Sequence, residues 1–397
     1  MRVLHVIPSV AARDGGPAVV AVETVRALRA AGCDAALATT DADGNDRLGV
    51  PTGTWTSWDG VPALFFRRVA STAFKWSPAL AAWVGAHAGE YDIVDVHAVF
   101  SHASIAAGRG SRRAVVPYVV RPHGALDPWS LGRKSWRKRA VLAAGGRRLL
   151  AGAARMQYTT SAEQQLAERA LPWLPPGVVV PLAVDDAWFE QRAAREESPI
   201  ILAMSRLEQK KGLELLIDAF AAASTDPAMA RWRLVLAGDG ARDYVSALQA
   251  RAAASGASAR IEFVGWVSGE AKRELLRSAA LLASPSLQEN FGLSIAEAMA
   301  AGVPVLVSPG VTLADEVAAS DAGWVVPRDL GALAAQLRTI AHDAAGRARA
   351  GQAARRLAVR YRWSRSAALL ADLYRDVAAS EPSVRRQTPT RIRGAAR

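Results

Sequence analysis

The sequence is poor in cysteine, with one, Cys33, among 397 residues. A single thiol excludes an intramolecular disulfide framework and any metal site built from several thiolates. Uncharged apolar runs of about 18 residues are also missing. The first ten residues have too short an apolar run for a signal peptide and predict a buried strand. We therefore expect a cytoplasmic protein without a membrane span.

Acidic residues are outnumbered, 37 against 49 lysines and arginines, which gives a formal net charge of +12. A basic balance suits nucleic acid, an anionic membrane surface or phosphorylated substrates, and does not choose among them. An arginine-rich composition set by the genome explains the charge as well. Basic stretches interleaved with aromatics, typical of single-strand nucleic-acid binding, are absent, so we expect no nucleic-acid partner.

Short apolar runs alternate with helix-length amphipathic stretches in both halves of the chain. This alternation predicts an α/β protein with two Rossmann-like, doubly wound parallel-sheet domains facing each other across a cleft. Ligands are then expected at the carboxyl ends of the strands. The boundary is predicted between Pro181 and Pro199. The predicted strands are 2–7, 34–40, 92–98, 114–120, 199–204, 232–237, 260–264, 280–284 and 304–308.

The most informative segment, ENFGLSIAEAMAAGVP, directly follows the predicted strand 280–284. Gly292 allows a tight approach, and Ser294 is expected to cap a helix that runs to Ala301. A helix amino terminus at a strand end is an anion site suited to a diphosphate. Glu289 and Glu297 flank it and can accept hydrogen bonds from sugar hydroxyls. The alternative is a capped surface helix with two solvated glutamates.

Basic and glycine residues follow other strands of the second half. Arg206 and Lys211 leave strand 199–204, where a guanidinium fork and an ammonium can share a diphosphate; the alternative is a solvated loop. Gly238 and Gly265 follow the next two strands and let a ribose or base approach the backbone. The same patterns also occur in ordinary turns.

In the first half, Gly15 and Gly16 follow the first strand, where their amides can face a phosphate. His123 follows strand 114–120 and should look into the cleft, and His97 has a similar position with less support. A lone histidine is more often structural than functional. Segment 41–46 resembles half a calcium loop but lacks the bidentate glutamate, so we predict no metal site. The G-x-G-x-x-G pattern of nicotinamide enzymes is absent after the first strand.

Taken together, these residues resemble the family 4 retaining glycosyltransferases, whose architecture of two Rossmann domains is called GT-B. The resemblance covers nearly the whole chain, and its most specific element is the pair Glu289 and Glu297, separated by seven residues around Phe-Gly-Leu. It implies transfer of a sugar from a UDP- or GDP-sugar with retention of configuration, without a metal or cofactor.

The resemblance also implies a role for each site residue. His123 would approach the donor sugar near the reacting carbon, Arg206 and Lys211 would neutralise the diphosphate, and Glu289 would bind the transferred sugar. Glu297 would take the ribose hydroxyls. The other donor-binding residues expected are Gly15, Gly16, Gly238, Gly265, Phe291, Gly292 and Leu293.

The domains expected from this resemblance have distinct tasks. Residues 1–185 form the acceptor-side domain, and 186–362 form the nucleotide-sugar-binding domain. Residues 363–380 form a helix that returns to the first domain, and 381–397 form a basic disordered tail.

A basic segment in the acceptor-side domain predicts a membrane or acceptor surface. Seven basic residues and no acid lie between Arg133 and Arg148, with Trp129 and Trp136 nearby. Basic and tryptophan side chains suit an anionic lipid surface. The alternative is a solvated basic helix. We expect a peripheral inner-face enzyme acting on a lipid-linked saccharide in polysaccharide or glycolipid synthesis. The predicted surface comprises Arg133, Lys134, Trp136, Arg137, Lys138 and Arg139.

Two rival functions remain open from the sequence. One is a GT-B sugar-nucleotide epimerase or phosphorylase, distinguished by donor conversion without an acceptor or by dependence on phosphate. The other is a basic membrane- or nucleic-acid-binding protein, which leaves the segment at Glu289 unexplained.

Overall fold

The computed structural model describes residues 1–190 and 198–380. The predicted basic tail, 381–397, lies outside the described residues, as does part of the predicted domain boundary. Within the described residues, two sheets with helices packed against them form two α/β units, which confirms the predicted fold class.

The strands, in chain order, are short and mostly buried. They are β1 (Arg2–Val6), β2 (Asp34–Thr40), β3 (Ala42–Asp43), β4 (Asp46–Arg47), β5 (Trp55–Trp58), β6 (Val61–Phe66), β7 (Ile93–His97), β8 (Tyr118–Arg121), β9 (Arg155–Tyr158), β10 (Gly177–Val179), β11 (Ser198–Met204), β12 (Arg233–Ala237), β13 (Ile261–Gly265), β14 (Ala279–Ser284), β15 (Val305–Val307) and β16 (Gly323–Val325).

Most helices connect successive strands of the two units, and the last three follow the final strand. They are α1 (Gly16–Ala30), α2 (Pro78–His87), α3 (His102–Arg113), α4 (Pro128–Gly132), α5 (Ser135–Val141), α6 (Arg147–Ala151), α7 (Ser161–Ala170), α8 (Ala187–Glu190), α9 (Leu213–Ala223), α10 (Arg242–Ala253), α11 (Gly269–Ser278), α12 (Leu293–Ala300), α13 (Ala314–Ala319), α14 (Leu330–His342), α15 (Ala344–Ala358) and α16 (Trp363–Ser380). A π-helical turn, Leu142–Gly146, joins α5 to α6.

Strand order fixes where ligands can bind. The first sheet runs β10-β9-β8-β7-β1-β2-β6-β5, and the second runs β13-β12-β11-β14-β15-β16. Within these two sheets all neighbouring strands are parallel except β5 and β6, and the short strands β3 and β4 form a separate antiparallel pair. The second order is that of dinucleotide-binding folds, and the chain reverses direction across the sheet between β11 and β14. The first sheet reverses between β1 and β7. A ligand crevice is expected beyond the carboxyl ends of each of these two pairs.

The β5–β6 hairpin was missed in the sequence analysis. Asp59 and Gly60 have φ values of 48° and 77°, the left-handed values that a tight two-residue hairpin turn requires. Asp-Gly between two apolar runs is the sequence signal for such a turn.

The final helix, α16, leaves the second sheet and packs against α1 of the first. Its buried side chains Leu370, Tyr374 and Val377 join the hydrophobic core of the first unit. The chain passes between the two units twice, near Val184 and near Tyr361. These two segments lie side by side, and the Val184 amide donates to the Tyr361 carbonyl at 2.8 Å. The domain bounds themselves stay a prediction.

None of the helices formed by the described residues has both the length and the apolar character that crossing a membrane requires.

Candidate active site

The turn between β14 and α12 exposes a helix amino terminus at a strand end. Gly292 precedes the helix with a φ of 76°, and a Cβ there would lie 2.6 Å from Ile295 Cδ1, so only glycine fits. The predicted cap at Ser294 is wrong: α12 begins at Leu293, and Gly292 holds the cap position without a side-chain hydrogen bond. The helix ends at Ala300, one residue earlier than predicted.

Backbone groups, not side chains, are available at this turn. The Phe291 side chain is 2% exposed and packs edge-on against Tyr361, with ring centroids 5.2 Å apart. Across residues 1–190 and 198–380, the amides of Phe291, Gly292 and Leu293 have no hydrogen-bond partner. Free amides at the positive end of a helix stabilise an anion.

Lys211 and Glu289 form an ion pair where β11 and β14 end. Lys211 is buried, in a short turn closed by Gly212, whose φ of 67° and contact with the Pro285 carbonyl leave no room for a side chain. The Glu289 backbone is fixed by its amide, which donates to the Gly310 carbonyl at 2.9 Å. The two residues therefore meet at the strand-order reversal of the second sheet.

Glycines of the first unit face Arg206 and Leu293 of the second unit. A Cβ on Gly15, whose φ is 73°, would lie 3.5 Å from Arg206 Nε. A Cβ on Gly16 would lie 3.6 Å from Leu293 Cδ1. Arg206 is half exposed and ion-pairs with Glu208 at 2.8 Å. The first turn of α1 and the first turn of α12 thus approach each other.

The remaining donor-binding candidates of the second unit differ in their surroundings. Glu297 pairs with Lys272 at 2.5 Å, and burial raises the pKa of its carboxyl. Gly265 is open, with no atom within 4 Å of an added Cβ. Gly238 is not open: its amide donates to the Gly265 carbonyl at 2.7 Å, and the Ser205 carbonyl fills the space where a Cβ would lie. We therefore assign Gly238 a packing role.

His123 lies in a strained loop beyond β8, with a φ of 51°. Glu163, 2% exposed, holds this loop by accepting the Gly124 amide at 2.6 Å and the Thr159 amide and hydroxyl at 2.7 Å each. Burial raises the pKa of the Glu163 carboxyl. Glu163 was not predicted as a site residue, although Thr160-x-x-Glu163 has the pattern of a helix capping box.

The loop of His123 touches the loop of Glu289. Asn290 Nδ2 donates to Thr159 Oγ1 at 3.2 Å, and a Cβ on Gly124 would lie 2.9 Å from Asn290. The structure therefore brings most of the predicted catalytic and donor-binding residues to one interface. These are Gly15, Gly16, His123, Arg206, Lys211, Glu289, Phe291, Gly292 and Leu293.

A buried polar cluster lies behind His123. His97 Nδ1 is 3.2 Å from His123 Nε2, and His97 Nε2 is 3.1 Å from His5 Nδ1. Asp95 lies beside them, bonded to Arg121 at 2.6 Å and to the Tyr374 hydroxyl of α16. His5, His97 and Asp95 are fully buried. Of this cluster, only His97 and His123, at the ends of β7 and β8, were site candidates from the sequence.

Burial controls the protonation of this cluster. It lowers the pKa of His5 and of His123 to about 4, and the pKa of His97 well below its usual value. Burial acts to raise the pKa of Asp95, but the Arg121 guanidinium outweighs it and holds that pKa well below its usual range. All three histidines are therefore neutral near pH 7.

A metal in this cluster is not favoured by its chemistry. Among the described residues, His5, Asp95 and His97 offer ligand atoms within 4.8 Å of one another. The Asp95 carboxylate is already bonded to Arg121 and Tyr374, and a guanidinium beside it opposes a second cation. We interpret the cluster as a hydrogen-bonded network.

The free energy of unfolding is expected to fall as the pH drops from about 6.5 towards 4. In this range the histidines bind protons in the unfolded chain but stay neutral when they are buried in the folded protein. His5 alone contributes about 1.4 kcal/mol for each pH unit in this window. Urea unfolding at pH 7 and pH 5.5 measures the loss. His5→Asn, whose amide can replace Nδ1 but does not titrate, should reduce the slope. A pH-independent midpoint would contradict the burial argument.

The predicted membrane surface divides into two parts. Arg133, Lys134, Arg137 and Arg139 are exposed, and Trp136 is 67% exposed with Arg137 over its ring at 5.1 Å. Placing Lys138 on this surface was wrong. Its ammonium donates to the Ser130 carbonyl and lies over the Phe100 ring at 5.2 Å, so its side chain turns inward. Burial lowers its pKa.

Comparison with known proteins divides the chain at the same place as the two sheets. The profile of "Glycosyltransferase Family 4" matches residues 14–188, and that of "Glycosyl transferases group 1" matches residues 184–357. A D-inositol 3-phosphate glycosyltransferase of Streptomyces avermitilis is 30% identical over 74% of this chain and 67% of its own length. A GDP-mannose-dependent phosphatidylinositol dimannoside mannosyltransferase of Mycobacterium tuberculosis is 32% identical over 48% of this chain and 50% of its own. Several relatives match over half or less of their length.

The fold is shared with solved structures of low identity. Anabaena HepE, crystallised with UDP and glucose, has a TM-score of 0.74 and 21% identity over 95% of this chain and all of its own. The two profiles, the Streptomyces relative and this fold agree. The chain belongs to the family 4 glycosyltransferases and has the GT-B fold.

Proposed function

We propose that this glycosyltransferase moves a sugar from a UDP- or GDP-sugar onto a lipid-linked saccharide with retention of configuration and without a metal. One observation carries the donor part of the proposal. The Lys211–Glu289 pair and the unpartnered amides of α12 lie together at the strand-order reversal of the second sheet, opposite Gly15 and Gly16.

The donor would lie between the two units. Its diphosphate would accept hydrogen bonds from the α12 amides and the Gly16 amide, with Arg206 and Lys211 supplying positive charge. Glu289 would bind the transferred sugar, and Glu297 the ribose. His123 would face the same sugar from the first unit.

The chemistry requires stabilisation of two opposite charges. Breaking the bond between the sugar and the diphosphate leaves positive charge on the sugar and negative charge on the leaving phosphate. Fixed donors aimed at the leaving group lower that barrier without reorganising. In this structure Lys211 and Arg206 are balanced by Glu289 and Glu208, so the α12 amides are an essential part of the anion site. A same-face, ion-pair-like transfer needs no protein nucleophile.

Two relatives support the donor class. HepE was crystallised with UDP, and the mycobacterial relative is named as GDP-mannose-dependent. The neighbouring Lys210, which was not predicted from the sequence as a site residue, is half-buried with its ammonium over the Trp129 ring at 5.7 Å, and burial lowers its pKa.

A donor screen tests this function. At 100 times its dissociation constant a true donor should stabilise the protein by about 2.7 kcal/mol, measured by thermal shift. Transfer to lipid-linked saccharides should continue in EDTA, and NMR of the product should show the donor's anomeric configuration. Strict recovery by magnesium or manganese would contradict the metal-free part. An inverted product would contradict retention, and donor conversion without an acceptor would indicate an epimerase.

The acceptor part rests on the exposed basic face of α5. Four exposed basic side chains lie within three residues of Trp136 in the sequence, and each contributes about 1 kcal/mol near an anionic leaflet before screening. The face begins just after α4, whose start lies beside the other unit: the Asp127 carboxylate accepts Gln288 Nε2 at 3.1 Å. A membrane bound there would bring a lipid-carried saccharide near the interface.

Replacing Arg133, Lys134, Arg137 and Arg139 with glutamate is expected to abolish sedimentation with anionic liposomes at about 0.15 M salt. The matched control reverses four exposed arginines elsewhere, Arg113, Arg231, Arg349 and Arg356, and should bind more strongly than the first variant at the same net charge. Equal binding by the two variants would show that net charge, not this face, holds the protein. No binding by the parent would favour an acceptor in solution.

A further inference from the structure

Three histidines form a line of hydrogen bonds that ends at the interface between the two units. His5 and His97 are fully buried, whereas His123 is partly exposed. The two links of the line are His5 Nδ1 to His97 Nε2 at 3.1 Å and His97 Nδ1 to His123 Nε2 at 3.2 Å. Each link needs one proton between its two nitrogens.

Three neutral imidazoles can form both hydrogen bonds of this line in only two ways, because each ring carries one N–H. In the first, His5 donates to His97 and His97 donates to His123, so that His123 carries its proton on Nδ1. In the second, every donor is reversed, and His5 then carries its proton on Nε2. The burial that lowers the three pKa values keeps the imidazoles neutral.

The buried end of the line, at His5, distinguishes the two arrangements. His5 Nε2 is buried and has no hydrogen-bond partner among the described residues. The second arrangement would leave an orphaned N–H there, whereas the first leaves only an unused lone pair. Genuinely orphaned buried N–H groups are rare in native proteins. Asp95 does not decide, because its oxygens lie 3.8 Å from His5 Nδ1 and 3.7 Å from His97 Nε2.

The other end of the line, at His123, is compatible with either arrangement. His123 is partly exposed, and its Nδ1 is not among the buried polar atoms that lack a partner. Solvent or a ligand can therefore satisfy that nitrogen whether or not it carries a proton. The preference set at His5 is then transmitted along the whole line.

We infer that His123 presents an Nδ1–H donor to the ligand between the two units, and that His97 and His5 are positioning residues that fix this tautomer. This N–H group donates to an oxygen of the bound nucleotide-sugar, either a sugar hydroxyl or a phosphate oxygen. His123 cannot then be the base for the acceptor, because Nε2 is occupied by His97 and Nδ1 carries the proton. The inference rests on the proposed function only for the identity of the ligand.

Imidazole nitrogen NMR of protein labelled with ¹⁵N-histidine tests the tautomer without any activity. The chain has 6 histidines, and His123→Asn assigns the His123 signals. The expected result at pH 7 is a protonated Nδ1 and a bare Nε2 on His123. A proton on Nε2 of His123, or on both nitrogens, would overturn the inference. Failure to find a donor would weaken the proposed function and leave this result unaffected.

Two substitutions of His97 separate positioning from packing. In His97→Asn the amide nitrogen can replace Nδ1 and still donate to His123, whereas in His97→Gln the amide points towards His5. The expected result is the parent tautomer in H97N and loss of the Nδ1–H preference in H97Q. Transfer by H97Q should be about 10-fold to 100-fold slower than by H97N. Identical tautomers in both folded variants would show that His97 only fills space. Should either variant fail to fold, the spectrum of the parent still decides the tautomer.

Discussion

Lys211→Ala is expected to lower kcat/KM for transfer by about 100-fold or more, because it removes the fixed charge that we propose stabilises the leaving phosphate. Lys211 lies in the turn after β11, and its ammonium forms an ion pair with the Glu289 carboxylate. The carboxylate left behind is only partly buried, with 17% of its side chain exposed, so the fold should remain intact. Glu289→Ala should cause a loss of the same order. Initial rates with a confirmed donor and urea unfolding measure the two effects separately.

Lys210→Ala is the matched control, since it removes the same charge from the neighbouring residue, whose ammonium lies over Trp129. Its loss should be much smaller. The double variant of Lys211 and Glu289 should be little worse than either single variant, because the two side chains act as one unit. Near-parental turnover by Lys211→Ala would contradict the site assignment.

Asp95→Asn is expected to destabilise the protein by about 3–5 kcal/mol, because it leaves the Arg121 guanidinium buried without a counter-charge. Arg121 is 3% exposed and bonds to Asp95 through Nε at 2.8 Å. The matched control is Asp372→Asn, which breaks an exposed pair with Arg375 and should cost about 0–1 kcal/mol. Urea unfolding compares the two. Equal shifts would show that the buried pair contributes no more than a surface pair.

The Asp95 contribution also has a defined pH range. Its pKa is held below the unfolded value of about 3.9, so the stability it supplies is complete above that pH and is lost below it. Removing both charges, as in Asp95→Asn with Arg121→Met, should recover part of the loss. If the double variant has a lower free energy of unfolding than Asp95→Asn, the guanidinium stabilises the fold by another contact, such as its bond to Tyr374 at 2.9 Å.

The sequence predicted the features of the site that depend on neighbouring residues. Glycine after a strand and a helix after glycine are local patterns, so the turn at Gly292 and the basic loop with Lys211 could be located in advance. The Ser294 cap failed because the left-handed conformation of Gly292 places the cap two residues earlier.

The buried network could not be predicted because its members are distant in sequence. Asp95 and Tyr374 are 279 residues apart, and His5 and His97 are 92 apart. Nothing local distinguishes Asp95 or Tyr374 from ordinary residues of an apolar strand and an amphipathic helix. Glu163 was missed for a related reason: its capping-box pattern predicts a helix start, but its carboxylate reaches Gly124 of another loop.

The return of α16 to the first unit has a consequence for biosynthesis. Arg121 and Tyr374 are 253 residues apart, so the ribosome must add the whole second sheet before the first unit receives its last helix. At about 5–20 residues per second this interval lasts about 13–50 s. During that time the face of α1 that α16 later covers is bare, and the Asp95–Arg121 pair lacks its tyrosine. The nascent first unit therefore exposes an apolar helix face until the ribosome has added α16.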